Sequence, residues 1–595
     1  MRRIITLLFF ISLHAIAGVT YITPNIDGGA FCKSAFHSDS VKNNEDAARF
    51  CFNHNEDSAD TIKNALNKID KGKVYSGDFA LGYTLTLPLF RYYQKNSNGE
   101  WVINEKFLRH DLNVISEINR PVNIYLSLNH FTDSNVEMSK ELAKDSRNIM
   151  WNANGPMKIS DYFGYPVIPW NISDVTSPIF KYRESVMISA LKQISNIVNK
   201  YPGRIVGVSL LGEVHQMNND ILAGPSYSVD MNEISDYSPS SKKGFTEYLT
   251  ERFKNISELN DFAGSSFSSF ESVEPPSKNI RKDVLSSFFQ HNDVYSSGIL
   301  NLYGWLTEKR NCDFKLNVYI DGKYSGDAEY GLNRTDVVEA IGSKNPNVGF
   351  RYSIDFRKMD YGIHKIWLIE KCGNDESLLD QRLFTYVDRK QSKSNVIFDS
   401  DSTIKLHNEN TKISVDGPVN SQDVFYNPIS ELWNDYRSKT VFDYISHFAI
   451  IASKYIPKQL IFSHQITTEI NGSWNSEITS ELLSKKQNRY YSQGTTLYGG
   501  AAFSDEFFKM AARNKWKRYA INEINPMSDL SVSGYINMMK RHHESGAVFI
   551  SPYFISVISD VLPSTGLNMF ELKPGNTKVH SDQFYQALVD IMDSH

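Results

Sequence analysis

Apolar positions along the chain follow two rhythms. Over residues 58–308 and again over 429–595, short apolar runs alternate with longer segments of helical spacing. The runs are Asp78–Leu87, Val122–Leu128, Ile205–Leu211, Gln459–Ser463, Thr495–Leu497, Arg518–Asn522 and Ala547–Ile550. Continuous rather than alternating runs predict parallel strands buried on both faces. The segments between them predict helices over Ser58–Lys71, Asn104–Ile118, Ser177–Lys200, Ile429–Tyr455, Ser504–Asn514, Ser531–Ser545 and Ser581–Met592. Ser58 is a plausible cap, and Ser177-Pro178 joins a capping residue to a proline suited to the first turn. Phe107, Leu108, Leu112, Ile115 and Ile118 share one side of their helix. Residues 18–57 are polar and irregular; an eighth strand is expected within the first 80 residues. The fold class is therefore α/β, a (β/α)8 TIM barrel. A doubly wound open sheet is the alternative, and its glycine fingerprint is absent from the sequence.

From Phe314 to Val387 the pattern becomes short and alternating. Lys315–Ile320 leads into the hairpin turn Asp321-Gly322, and Phe350–Ile354 and His364–Glu370 flank Tyr361-Gly362. This predicts an inserted Ig-like β-sandwich. The Ser-, Asn- and Asp-rich stretch 390–420 reads as a return linker. The expected organisation is a signal peptide (1–17), a first part of the barrel (18–308), the sandwich (309–400), then a linker and second part of the barrel (401–595).

Arg2-Arg3, the apolar run Ile4–Leu13 and the small-x-small Ala15-Ile16-Ala17 have the form of a cleaved export signal. The rest of the chain holds no run of 18 apolar residues, so no membrane span is expected and the mature chain should be secreted, to the periplasm or beyond. The net charge of −5, without long basic clusters, argues against nucleic acid as a partner. Cys32, Cys51, Cys312 and Cys372 are the only cysteines, an even number in an oxidising compartment; two local bridges are expected, Cys32–Cys51 and Cys312–Cys372. No Cys-x-x-Cys pair suggests structural zinc.

Barrel enzymes carry their chemistry at the C-terminal ends of strands. Two glutamates stand there, Glu213 after Ile205–Gly212 and Glu523 after Tyr519–Asn522. A carboxylate directly after a buried strand costs desolvation unless it is paired or used. Singly, each could cap a helix or pair with a lysine; together, on either side of an insertion, they point to charges that are used.

The chain here resembles the clan of barrel-fold retaining glycoside hydrolases, and within it the bacterial family 42 β-galactosidase group. The resemblance runs through Val122–Leu128, Tyr182-Arg183, the strand before Glu213, Phe245–Leu249, Ile256–Phe267 and Pro275-Pro276. It implies Glu213 as acid/base and Glu523 as nucleophile, no cofactor, no metal, and an oligosaccharide or polysaccharide substrate. It also implies a tyrosine bonded to the nucleophile, the place of Tyr498. The clan usually has asparagine before the acid/base, where this chain has Gly212.

Further strand-end candidates for substrate binding are Asn129, His130, His215, His464 and Tyr498, with Trp151, Trp474 and Tyr553 as stacking faces. Each aromatic can equally be packing, and each histidine a satisfied structural one. Two other functions stay open. A metal-dependent barrel hydrolase would use His130, Glu213, His215 and His464. A glycan-binding pseudoenzyme would fit Gly212 and the added sandwich.

Overall fold

The computed structural model describes residues 18–593 except 129–132, 163–164, 220–225, 309–311, 313, 391–410, 477, 479–480, 487, 527–528 and 559–565. The expected signal peptide lies outside the described residues. Among them, no helix is long and apolar enough to cross a membrane.

Ten short strands carry the parallel architecture: β1 (Thr20–Ile22), β2 (Phe79–Leu81), β3 (Tyr83–Pro88), β4 (Val122–Ser127), β5 (Ile205–Leu211), β6 (Ile461–Phe462), β7 (Gln465–Ile466), β8 (Gln493–Leu497), β9 (Tyr519–Ile524) and β10 (Ala547–Pro552). They form two sheets, not one closed barrel. One has the order β7-β8-β9-β10-β1-β2, with Tyr75–Ser76 antiparallel at its edge; the other has the order β6-β5-β4-β3. The first break falls inside the expected strand Asp78–Leu87, and the second at the end of the expected strand Gln459–Ser463, with β7 beyond it. Gly82 alone separates β2 from β3, and Ser463-His464 separates β6 from β7. At Gly82 the chain changes sheets: its N–H bonds Ile22 O, and the next N–H, of Tyr83, bonds Pro121 O. A Cβ on Gly82 would lie 2.1 Å from Pro121 O, so only glycine fits this crossing. The expected eighth strand is β1, between β10 and β2.

Helices follow the strands as the spacing predicts: Ala59–Asp70, Glu105–Glu117, Pro178–Lys200, Pro428–Ala452, Asp505–Arg513, Val532–Glu544 and Ser581–Asp593. Ser177, Ser504 and Ser531 accept backbone N–H groups as caps, and Pro178 occupies the first turn. Ser58 holds the cap position but sends its hydroxyl to Gly29 O, and Asp57 takes the Ala59 N–H instead. The stretch 18–57 is less irregular than its polarity suggests. It contains the helix Asn44–His54, held by the Cys32–Cys51 disulfide. The strands pack against these helices in one large core that includes Ile124, Leu126, Val208, Leu210, Ile521 and Ile550. Each such side chain contributes about 1.5–3 kcal/mol when fully buried.

The described strands between 299 and 424 form a second body of two sheets, antiparallel except that Gln422–Val424 pairs parallel with Asp375–Tyr386. One sheet orders Glu329–Leu332, Gly349–Asp355, Ile299–Glu308 and Thr411–Gly417; the other orders Lys323–Asp327, Phe314–Ile320, Gly362–Cys372, Asp375–Tyr386 and Gln422–Val424. Leu300, Leu306, Leu316, Val318, Phe350, Ile366 and Phe384, drawn from both sheets, share one core. The antiparallel pairings extend beyond 309–400 on both sides. Ile299–Glu308 pairs with Gly349–Asp355, and Thr411–Gly417, inside the expected linker, completes the sheet. Asp321-Gly322 makes the hairpin turn with both residues at positive φ. Tyr361-Gly362 links Gly349–Asp355 of one sheet to Gly362–Cys372 of the other. Cys312–Cys372 forms as expected, beside the Phe314–Cys372 pairing.

Candidate active site

β5 ends abruptly. Leu211 and Gly212 both have positive φ, +70° and +97°, which turns the chain out of the strand before Glu213. Glycine suits that conformation and a side chain there is strained, a local reason for Gly212 in place of asparagine. Glu213 and His215 therefore lie beyond the strand and do not share a strand face. Gln465, on β7, donates its Nε2 to Gly212 O at 3.3 Å and ties down the turn. Glu523 lies inside β9, in register with Thr496 of β8.

The two sheets bring these groups together. One ligand atom from each of Glu213, His464 and Glu523 lies within 4.8 Å of the other two. The phenol of Tyr498 donates to Glu213 Oε1 at 2.6 Å, and the Thr496 hydroxyl bonds the same carboxylate. The resemblance places a tyrosine on the nucleophile, expected at Glu523; here the tyrosine contacts Glu213. Glu523 receives a side-chain hydrogen bond from Asn525.

Burial raises the pKa of Glu213, opposed by the hydrogen bonds from Tyr498 and Thr496. Burial raises Glu523 further, well above the ordinary carboxylate range, and repulsion from Glu213 adds to it. Two carboxyls this close do not both ionise readily, so one proton is shared, with the negative charge favoured on the group that has the hydroxyl donors. Burial pushes His464 down to about 3, leaving a neutral imidazole at neutral pH. Its Nε2 is 3.2 Å from Thr496 Oγ1, and its ring lies against Tyr125.

The other candidates are more scattered. His215 turns Nδ1 to Gln216 O at 2.6 Å, and burial lowers its pKa; it is not part of the three-residue cluster. Trp151 donates to Ser146 O and packs on the cluster of Tyr237, Phe245 and Trp433, the packing alternative. Tyr553 follows β10, its N–H on Ile524 O and its ring against Phe554 and Phe570. Asn129 and His130 lie outside the described residues. Gln465 follows an expected strand together with His464 and is a weaker strand-end candidate; Thr496 and Asn525 went unassigned in the sequence, since a lone hydroxyl or amide carries no distinguishing pattern. Among the described residues, a cation at this site would draw on Glu213, Glu523 and His464, without His215.

No family model matches the sequence, and neither does any curated protein. Solved structures similar to this chain include the catalytic domain of a β-amylase from Paenibacillus polymyxa, at 10% identity and a TM-score of 0.43, covering 89% of this chain and 94% of that one. A β-galactosidase from the psychrophilic Marinomonas ef1 is 7% identical with a TM-score of 0.42, over 90% of this chain and 54% of that one. A β-galactosidase from the haloarchaeon Halorubrum lacusprofundi is 8% identical with a TM-score of 0.43, over 90% and 56%. This chain spans about half the length of the two β-galactosidases. Likenesses this weak transfer neither a fold nor an activity, and the functional reading rests on the residues of the site.

Proposed function

We propose that this protein is a secreted, retaining glycoside hydrolase that uses Glu213 and Glu523 as its catalytic pair. The observation that carries the reading is the meeting of these two half-buried carboxyls, one after β5 and one in β9, within 4.8 Å. Retaining glycosidases hold their carboxyls roughly 5–5.5 Å apart, whereas inverting enzymes need about 6.5–9.5 Å to admit a water. In the double displacement one carboxylate attacks the anomeric carbon while the other, protonated, gives its proton to the departing oxygen. Water, deprotonated by the second group, then cleaves the glycosyl ester. The hydroxyls of Tyr498 and Thr496 stabilise charge on Glu213, which favours Glu213 as the attacking group and Glu523 as the acid. The resemblance implies the reverse order.

The two parallel sheets fit an eight-stranded barrel interrupted at Gly82 and at Ser463-His464. Support comes from the parallel bridges Asn25–Thr84 and Phe462–Ser492, which join strand ends across both breaks. The antiparallel body at 299–424 fits an inserted β-sandwich of Ig-like size. Two disulfides support an oxidising compartment. The test is a panel of aryl glycosides with the mature protein, with the anomer of the first product read by NMR. A substrate hydrolysed with retention, and lost in Glu213→Ala and Glu523→Ala, is the expected result. Binding of glycans without turnover of any would make it the pseudoenzyme.

A further inference from the structure

The inserted body reaches the turn after Tyr498 through Asn333, with Asn347 and Gly331 beside it. Asn333 follows the strand Glu329–Leu332 and is buried against two loops of the parallel-sheet body. Its N–H donates to Ile470 O at 2.8 Å, and its carbonyl accepts from Gly472 N at 3.1 Å. Its Nδ2 donates to Asn471 Oδ1 at 3.1 Å. Its Oδ1 accepts from Gly500 N at 3.0 Å and from Thr335 Oγ1 at 2.8 Å. Gly500 lies two residues after Tyr498, in the single turn Gly499–Phe503. A Cβ on Gly500 would stand 2.3 Å from Asn347 Oδ1, so turn and insertion touch there. At the far end, Ser504 Oγ donates to Gly331 O at 2.6 Å.

We infer that the insertion is a working part of the site: Asn333 is a positioning residue that holds the turn 499–503 and so keeps the Tyr498 hydroxyl on Glu213. The first N–H groups of a helical turn have no acceptor within it, so an outside acceptor orders them. This turn needs one. Gly499-Gly500-Ala501-Ala502 has no side chain long enough to anchor itself, and its two glycines are conformationally free. Without the Asn333 acceptor the turn loosens, the phenol draws back, and Glu213 loses a donor that stabilises its charge.

The inference rests on the proposed role of Glu213, and the test separates the two. Asn333→Ala, Asn333→Asp, Tyr498→Phe and the double variant Asn333→Ala/Tyr498→Phe are first matched to wild type by circular dichroism. Protonated carboxyls react with a water-soluble carbodiimide and glycine methyl ester, so peptide mapping against pH reads the titration of Glu213 without a substrate. The kcat and KM on an aryl glycoside turned over by wild type complete the comparison. Asn333→Ala is expected to move Glu213 labelling to higher pH and to lower kcat about tenfold with little change in KM. Asn333→Asp keeps the acceptor for Gly500 but loses the donor to Asn471 Oδ1, so its labelling is expected between those of wild type and Asn333→Ala. Tyr498→Phe shifts the labelling the same way, and adding Asn333→Ala to it produces no further shift. Gly500→Ala pushes the turn off Asn347 and reproduces the shift if Asn333→Ala does not fold. Wild-type labelling in Asn333→Ala, or shifts that add, overturns the positioning role and leaves the two-carboxyl reading standing. Wild-type labelling and kcat in Tyr498→Phe overturns both.

Discussion

Tyr498 donates to Glu213 Oε1 over 2.6 Å, and Thr496, two residues earlier, bonds the same carboxylate. Glu523 faces that charge with Asn525 as its hydrogen-bonding side chain. The two glutamates are therefore unlike in environment, and this asymmetry has consequences for both chemistry and stability.

Product stereochemistry in azide separates the roles. With Glu213 attacking, Glu213→Ala leaves space for azide on the same face, and one displacement gives a glycosyl azide of inverted configuration. Glu523→Ala still forms the ester when the leaving group is good, and azide then yields the retained product. With poor leaving groups Glu523→Ala should lose about 10²–10⁴-fold in kcat, the usual worth of a general acid. Exchange of the two stereochemical outcomes would assign attack to Glu523, as the resemblance implies.

The raised pKa of Glu523 has a cost in stability. Its proton is bound more tightly in the folded state, so stability is lost as pH rises from the ordinary carboxylate range through the raised folded value. Glu523→Gln removes that loss. The variant should melt about 1–3 °C above wild type near neutrality, the scale of a change of about 1 kcal/mol in a protein this large. The gain should disappear at about pH 4, where the free carboxyl is itself largely protonated. Thermal melting across pH checks it; a variant that melts below wild type at neutral pH contradicts the assignment.

Glu213, Glu523 and His464 converge closely enough to attract a zinc ion, which prefers nitrogen and carboxylate ligands at about 2.0–2.2 Å. In a two-carboxyl mechanism such an ion occupies the reacting position. EDTA should leave turnover unchanged and added zinc should inhibit, more strongly as pH rises and protons leave the carboxyls. Loss of activity in EDTA with recovery on adding zinc would instead establish the metal-dependent hydrolase.

Away from the site, Arg120 ties the helix Ala59–Asp70 to the start of β4. Its guanidinium meets both oxygens of the fully buried Asp70 and also Leu81 O. Arg120→Ala strands a buried carboxylate and should cost about 3–5 kcal/mol, against about 0–1 kcal/mol for an exposed pair such as Lys63–Asp60. Chemical denaturation of Arg120→Ala and Lys63→Ala makes the comparison, and equal losses would refute it.

The sequence made the elements legible because burial on both faces leaves an unmistakable mark. Ile205–Leu211 is apolar but for Ser209 and buried along its whole length, and β5 has the same bounds. Ser177-Pro178 marks a helix start that needs no tertiary information. Legibility failed where the signal is weak or shared. Asn44–His54 is a mostly polar helix that buries only Ala47, Ala48 and Cys51 and is secured by a disulfide. The strand Ile299–Glu308 is apolar enough to pass for part of the parallel body, and only its antiparallel partners show otherwise.

By itself the sequence determined the strand-and-helix order, the local disulfide pairing and the two glutamates, because each depends on periodicity, proximity along the chain or an unusual charge at a strand end. Tertiary structure decided which groups meet: Tyr498 with Glu213 across 285 residues, and Asn333 of the insertion with Gly500 across 167. Partner choice over such separations depends on where sheets cross and loops turn. Hydroxyls and amides, unlike apolar stripes, leave no periodic trace of the partner they will find.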